Sequence, residues 1–232
     1  MSDSIAKKAV ALTSGGIDST VTAALAMADG YECHCLILNY GQRHEIEVTR
    51  AQQVAANMKT ASALVLDIDL RTISRSALTT PIPVPKNRSV EHIGHGIPPT
   101  YVPARNTIFL SLALAWAESL GATAIFFGVN VLDYAGYPDC RPEFLSAFNE
   151  LALLGTKQGI EGSPITVHAP LLQLTKAEII LKGIKLGVPL GLTHSCYDPS
   201  PQGKPCGECD SCLLRQKGFH DAGIPDPALE DY

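Results

Sequence analysis

At 232 residues, 46% hydrophobic and 18% charged, the chain can bury a sizeable core and has the balance of an ordinary soluble globular protein. A formal net charge of −5 disfavours a broad nucleic-acid footprint, which needs clustered Lys and Arg, and favours a small-molecule substrate. No run approaches the roughly eighteen apolar residues of a membrane helix, and Met1-Ser2-Asp3-Ser4 carries no basic-then-apolar signal, so a cytoplasmic protein with no membrane partner is expected.

Ala9-Val10-Ala11-Leu12 reads as a short buried strand and Val21 to Ala28 as an Ala/Leu-rich helix, so the stretch between them joins a strand to a helix. Its two glycines let the backbone approach a ligand, and Ser14, Ser19 and Thr20 add hydroxyls around the free N–H groups of the helix start. That geometry attracts phosphate. The stretch is not the common Gly-x-x-x-x-Gly-Lys-Ser/Thr loop, because no lysine stands where that loop places one. Ser14-Gly15-Gly16-Ile17-Asp18-Ser19 resembles instead the pyrophosphate loop of the adenylating ATP pyrophosphatases, which include GMP synthetase, NAD synthetase and tRNA-thiolating enzymes. The resemblance implies that Leu12, Thr13, Ser14, Gly15, Gly16, Ile17, Asp18, Ser19, Thr20, Val21 and Thr22 bind ATP and hold the pyrophosphate released when a substrate oxygen is adenylated.

Cys33 to Leu38 reads as a second buried strand, His44 to Met58 as an amphipathic helix and Ala63 to Asp67 as a third strand. Such alternation builds a doubly wound, Rossmann-like parallel sheet with helices on both faces. Cys33 and Cys35 read as buried core thiols rather than metal ligands. Tyr40-Gly41-Gln42 follows a strand's carboxyl end, where open α/β sheets place ligands. Thr79 to Pro103, rich in proline and glycine, cannot continue a helix and is too long for a passive connection, so it is either a lid or an extended arm. His92 and His95 within it read as solvated loop residues.

Arg105 precedes a long apolar helix, Ile108 to Leu120, for which Asn106 is the expected cap; Arg105 itself is a candidate phosphate or substrate ligand. Ala124 to Val129 reads as the next strand. After it, Asp133, Tyr134, Tyr137, Asp139 and Arg141 crowd into a polar loop. A carboxylate there can accept from an amidine-like edge such as guanine's, a tyrosine can stack on a flat ring, and Arg141 can pair with a carboxylate. Pro142 to Leu154 reads as a helix and Ile165 to Pro170 as the last strand. Thr175 and Glu178 have capping-box spacing at the start of a further helix. Lys176 then sits where an acidic residue is usual, which a bound anion would justify; a structural and a functional role stand as equal readings.

Four of the seven cysteines, Cys196, Cys206, Cys209 and Cys212, cluster near the C-terminus. Four thiolates at this spacing suit a closed tetrahedral structural zinc site, with an iron–sulfur cluster as the competitor. The chain therefore divides into an α/β nucleotide-binding domain, residues 1–190, and a small zinc-binding subdomain, residues 191–232.

The blocks Leu12 to Thr20, Tyr101 to Thr107, Gly128 to Phe144 and Ser195 to Cys212 together resemble the 7-cyano-7-deazaguanine synthases of queuosine biosynthesis, over about residues 8–232. Thr13 stands where Leu-Ser is the commoner opening of the loop. The resemblance implies that 7-carboxy-7-deazaguanine is converted to its nitrile with ATP and ammonia, by a homodimer. Ser14, Asp18, Ser19 and Lys176 would then be catalytic, with Asp18 acting through Mg²⁺, and Arg105, Asp133, Tyr134, Tyr137, Asp139 and Arg141 would bind substrate. The rival readings are a tRNA-thiolating adenylase, which the acidic balance disfavours, and a zinc-ribbon nucleic-acid-binding module, which the intact loop disfavours.

Overall fold

The computed structural model describes residues 6–43, 46–89, 92–93, 96–132 and 136–229. Its elements in chain order are β1 (Lys8–Leu12), α1 (Ile17–Ala28), β2 (Glu32–Asn39), α2 (Ile46–Asn57), β3 (Ser62–Asp67), α3 (Arg105–Leu120), β4 (Ala124–Phe126), α4 (Pro142–Gly155), α5 (Lys157–Ile160), β5 (Thr166–His168), α6 (Lys176–Lys185) and α7 (Asp210–Ala222). The strands form one parallel sheet in the order β3-β2-β1-β4-β5, the doubly wound arrangement expected.

Alternation along β1 assigns the two faces. Val10 and Leu12 point to one side, where they pack with Leu110, Ala113, Leu114 and Ala117 of α3 and with Leu145 and Phe148 of α4. Ala9 and Ala11 point to the other, with Cys33, Cys35 and Ala124 beside them under Ala23 and Ala26 of α1 and Ala55 of α2. Small residues on that face let α1 and α2 lie close to the sheet. Cys33 and Cys35 are thus core residues, as expected. A third cluster joins α1 to α6 and α7 through Val21, Ile179, Ile180 and Phe219.

Three local features differ from expectation. Strand β4 ends at Phe126, not Val129, because the chain leaves the ladder to pass over the start of α1; a Cβ on Gly128 would lie 2.9 Å from the Ser19 Cα. Strand β5 is correspondingly short. Asn106 does not cap α3: the cap is Ala104, in the left-handed region at φ 53°, with no side-chain cap hydrogen bond. The capping box on α6 forms as predicted, with Thr175 N–H donating to Glu178 Oε2 at 2.8 Å and Glu178 N–H to Thr175 Oγ1 at 3.3 Å.

The described part of the Pro-rich segment packs against the C-terminal region in this structure. Ala77 and Val84 pack against Cys196, Cys209 and Cys212, Lys86 bridges to Cys209, and the Arg88 guanidinium pairs with the Asp210 carboxylate at the start of α7. His92 is held by Ser89 at 2.7 Å, whereas His95 lies outside the described residues.

Candidate active site

The ends of β1 and β4 lie side by side where strand order reverses, and beyond them opens a cavity of about 200 Å³. Its floor is Leu12, Leu36 to Leu38 and Phe127 to Val129; its rim is the loop after β1.

That loop is built by short-range bonds. Ser19 Oγ accepts from Ser14 N–H at 3.1 Å and donates to the Gly16 carbonyl at 3.1 Å, and Thr20 Oγ1 donates to the same carbonyl at 2.8 Å. Gly15 must be glycine, since φ is 78° and a Cβ would meet the Ala51 nitrogen of α2 at 2.7 Å. No side chain caps α1, so its first N–H groups are left for a ligand. Opposite them, Lys176 Nζ donates to both carboxylate oxygens of Asp18, at 2.6 and 2.8 Å, with both side chains nearly buried. In the structure the anion that faces Lys176 is a side chain of the protein itself, Asp18. α7 sets this geometry: a Cβ on Gly218 would lie 2.3 Å from the Lys176 Cγ.

Another part of the cavity lining is aromatic and cationic. Arg105 Nη1 donates to the Tyr40 hydroxyl at 3.4 Å, and its guanidinium carbon lies 5.8 Å from the ring centroids of both Tyr40 and Phe109. Tyr137 and Tyr197 complete this wall. Burial pushes the Tyr40 phenol up to about 12, so it stays a neutral hydroxyl. Cys140 also lines the cavity, but burial, reinforced by the Asp139 carboxylate, pushes its thiol up to about 12, which removes its nucleophilic form.

Ser14, Asp18, Ser19 and Lys176 are therefore brought together, with Leu12, Thr13, Gly16 and Ile17 beside them. Gly15 and Thr20 stand behind the loop, and Val21 and Thr22 are buried within α1. Of the residues predicted to bind substrate, Arg105 and Tyr137 line the cavity. Asp139 is buried behind it, Arg141 is exposed ahead of α4, and Asp133 and Tyr134 lie outside the described residues. Sequence reasoning missed the wall formed by His194, Ser195, Tyr197, Ser211 and Arg215. His194 N–H donates to the Gly15 carbonyl at 2.9 Å, and Arg215 is held by Asp226 at 2.5 and 2.8 Å and by Thr193 Oγ1 at 2.9 Å. These contacts span turns with no local motif; only their position just ahead of the cysteines and within α7 marked them.

The Sγ atoms of Cys196, Cys206, Cys209 and Cys212 all lie within 4.8 Å of one another, and the group could hold a metal ion. Backbone N–H groups already point at the sulfurs: Cys206 and Asp198 donate to Cys196 at 3.2 and 3.4 Å, and Tyr197 donates to Cys209 at 3.4 Å. Four converging sulfurs with backbone N–H groups already aimed at two of them fit a sulfur-ligated cation.

Comparison with known proteins agrees with this geometry. The family described as "Queuosine biosynthesis protein QueC" matches residues 8–223. The chain is 59% identical over 221 residues to the 7-cyano-7-deazaguanine synthase of Myxococcus xanthus, covering 95% of this chain and 96% of that one. It is 58% identical over 225 residues to the enzyme of the same name from Syntrophotalea carbinolica, covering 97% and 96%. Among solved structures, a 4-thiouridine synthetase in complex with RNA and ATP superposes with a TM-score of 0.50 at 21% identity, covering 97% of this chain and 52% of that one, a likeness of fold alone. The chain belongs to the QueC family of queuosine biosynthesis proteins.

Proposed function

We propose that this protein is a 7-cyano-7-deazaguanine synthase, converting 7-carboxy-7-deazaguanine to the nitrile with ATP and ammonia. The observation that carries the reading is that one cavity is lined both by an uncapped helix start with the Asp18–Lys176 pair and by Arg105 with its aromatic neighbours. A phosphate chain and a flat anionic ring each have complementary groups to bind. The relatives reported above are named for the product, 7-cyano-7-deazaguanine, and the carboxylate substrate is what the resemblance implies.

A carboxylate is a poor acyl donor, so one of its oxygens first attacks the α-phosphorus of ATP, forming an acyl adenylate as the α–β phosphate bond breaks and pyrophosphate leaves. Ser14, Gly16, Ser19 and the first N–H groups of α1 hold the departing pyrophosphate. Lys176 neutralises charge that develops as the α–β phosphate bond breaks. Asp18 is the residue that would hold magnesium, which when bound neutralises the phosphate oxygens. Ammonia displaces AMP to give the amide. A second adenylation, of the amide oxygen, followed by loss of AMP leaves the nitrile. No enzyme nucleophile takes part, in keeping with the neutral Cys140 thiol; positioning and charge stabilisation supply the rate.

Arg105 pairs with the carboxylate of the substrate, and Tyr137, Asp133 and Tyr134 complete the recognition of the ring. Cys196, Cys206, Cys209 and Cys212 would hold structural zinc, because four thiolates leave no open position for catalysis. The protein works in the cytoplasm as a homodimer on a small molecule, without nucleic acid; light scattering on the purified protein tests the dimer. Incubation with ATP, ammonia and 7-carboxy-7-deazaguanine should yield AMP, pyrophosphate and a product of nitrile mass. Absence of that mass while ATP is still cleaved would point to another carboxylate.

A further inference from the structure

Helix α3 begins against its own electrostatics. Its first turn contains no acidic side chain and opens with a cation, Arg105, at the end where the helix dipole is positive. Its cap, Ala104, offers no side-chain acceptor and adopts a left-handed backbone that an L-residue rarely takes. Such a start would be frayed and repulsive on its own. A carboxylate 33 residues away compensates. Asp139, 6% exposed, accepts the Asn106 N–H on Oδ2 at 3.1 Å, while Asn106 Nδ2 donates to the Asp139 carbonyl at 3.3 Å. Asp139 does not line the cavity, whereas its neighbours across this contact, Arg105 and Asn106, do. Its other oxygen, Oδ1, is buried with no hydrogen-bond partner among the described residues. A carboxylate with an unsatisfied buried oxygen is costly to keep, which argues that the charge and the one bond it makes are needed.

We propose that Asp139 is a positioning residue: it caps α3 from outside and so fixes the Arg105 guanidinium against Tyr40 and Phe109, where it meets the substrate carboxylate. The inference rests on the proposed reaction and replaces the reading of Asp139 as a direct reader of the deazaguanine ring. The two roles separate chemically. A ring reader serves the carboxylate substrate and the amide intermediate alike, since both carry the same ring. A residue acting through Arg105 serves the carboxylate alone.

The test is the ratio of kcat/KM for 7-carboxy-7-deazaguanine to kcat/KM for its amide, measured with ATP and, for the first, ammonia. Arg105→Ala should lower this ratio about 10- to 100-fold, the loss of one desolvated charge-assisted pair. Asp139→Ala should lower it about tenfold, and Asp139→Asn, which keeps an oxygen acceptor, by less than about threefold. In the Asp139→Ala/Arg105→Ala double variant the ratio should fall no further than in Arg105→Ala, because the two act as a unit. Where Asp139→Ala does not accumulate folded, Asp139→Leu, of similar volume and without an acceptor, takes its place. An unchanged ratio in the Ala or Leu variant, a fall in Asp139→Asn as deep as in Asp139→Ala, or additive losses in the double variant would each overturn the proposal. If the wild-type protein converts neither substrate, it is the proposed reaction that fails.

Discussion

In the proposed reaction the Lys176–Asp18 pair carries the charge stabilisation, and the pairing has two consequences in the structure. It keeps a buried ammonium and a buried carboxylate from standing unpaired, and it holds Lys176 extended along the cavity toward the loop. Removing the amine therefore removes charge stabilisation and leaves Asp18 repelling phosphate. Lys176→Met should lower kcat for AMP formation by about 10²- to 10³-fold, the scale of losing one preorganised donor. Retained turnover in that variant would move the charge-stabilising role elsewhere. Ser19 acts differently, because its hydroxyl ties Ser14 to the Gly16 carbonyl and so shapes the loop. Ser19→Ala should raise the KM for ATP and depress AMP formation together; near-normal kinetics would show that the loop keeps its shape without the hydroxyl.

The elements divide by whether their determinants are local. The Ser14 to Thr20 loop and the Thr175–Glu178 capping box are legible because the residues that interact lie within a few positions of one another, and the four cysteines because all fall within seventeen residues at recognisable spacing. The start of α3 is not. Asn106 looks like a cap by residue type, yet the acceptor that serves the helix comes from Asp139, and no spacing rule links them. The His194 to Arg215 wall is illegible for the same reason, since Gly15 holds the His194 backbone N–H while Thr193 and Asp226 hold the Arg215 side chain. Strand β4 is shorter than its apolar run, because Phe127 and Val129 are as apolar as strand residues while packing of Gly128 on Ser19 ends the ladder. The α6–α7 crossing gives a test of such a contact. Gly218→Val places side-chain atoms where the Lys176 stem runs, so kcat should fall at least about tenfold from lost alignment while ATP binding is retained. Unchanged kcat would mean that Lys176 reaches its position by another path. At the sheet edge, His168 stacks on Phe126 with centroids 5.1 Å apart, and burial lowers its pKa from the ordinary 6.5. The unfolded chain then takes up this proton first, so stability contributed here is complete above about pH 6.5 and is lost as pH falls below it. Denaturant midpoints of wild type and His168→Gln should converge on acidification from pH 7.5; parallel curves would count against it.

Across the whole molecule, the cysteine cluster is joined to the cavity by two routes. Cys209 caps α7, the helix that carries both Gly218 beneath Lys176 and Arg215 in the cavity wall. The segment at 77–88 is pinned to the same point by the Lys86–Cys209 bridge and the Arg88–Asp210 pair. Metal at the four thiolates would therefore hold this segment, α7 and one wall of the cavity together, although it stands outside the chemistry. Such a site contributes folding free energy, so its loss should be felt locally first. Cys212→Ser, or removal of metal by a chelator, should lower the melting temperature and speed amide exchange at residues 77–88 and 196–216. β1 and β2, whose contacts lie in the sheet and under α1 and α2, should keep their protection. Activity should fall with the same metal dependence, and zinc added back to the chelated protein should restore both. Activity lost with exchange unchanged in the 77–88 segment and α7 would instead place the metal in the reaction itself, and uniform loss of protection across the sheet would make it part of one global folding unit.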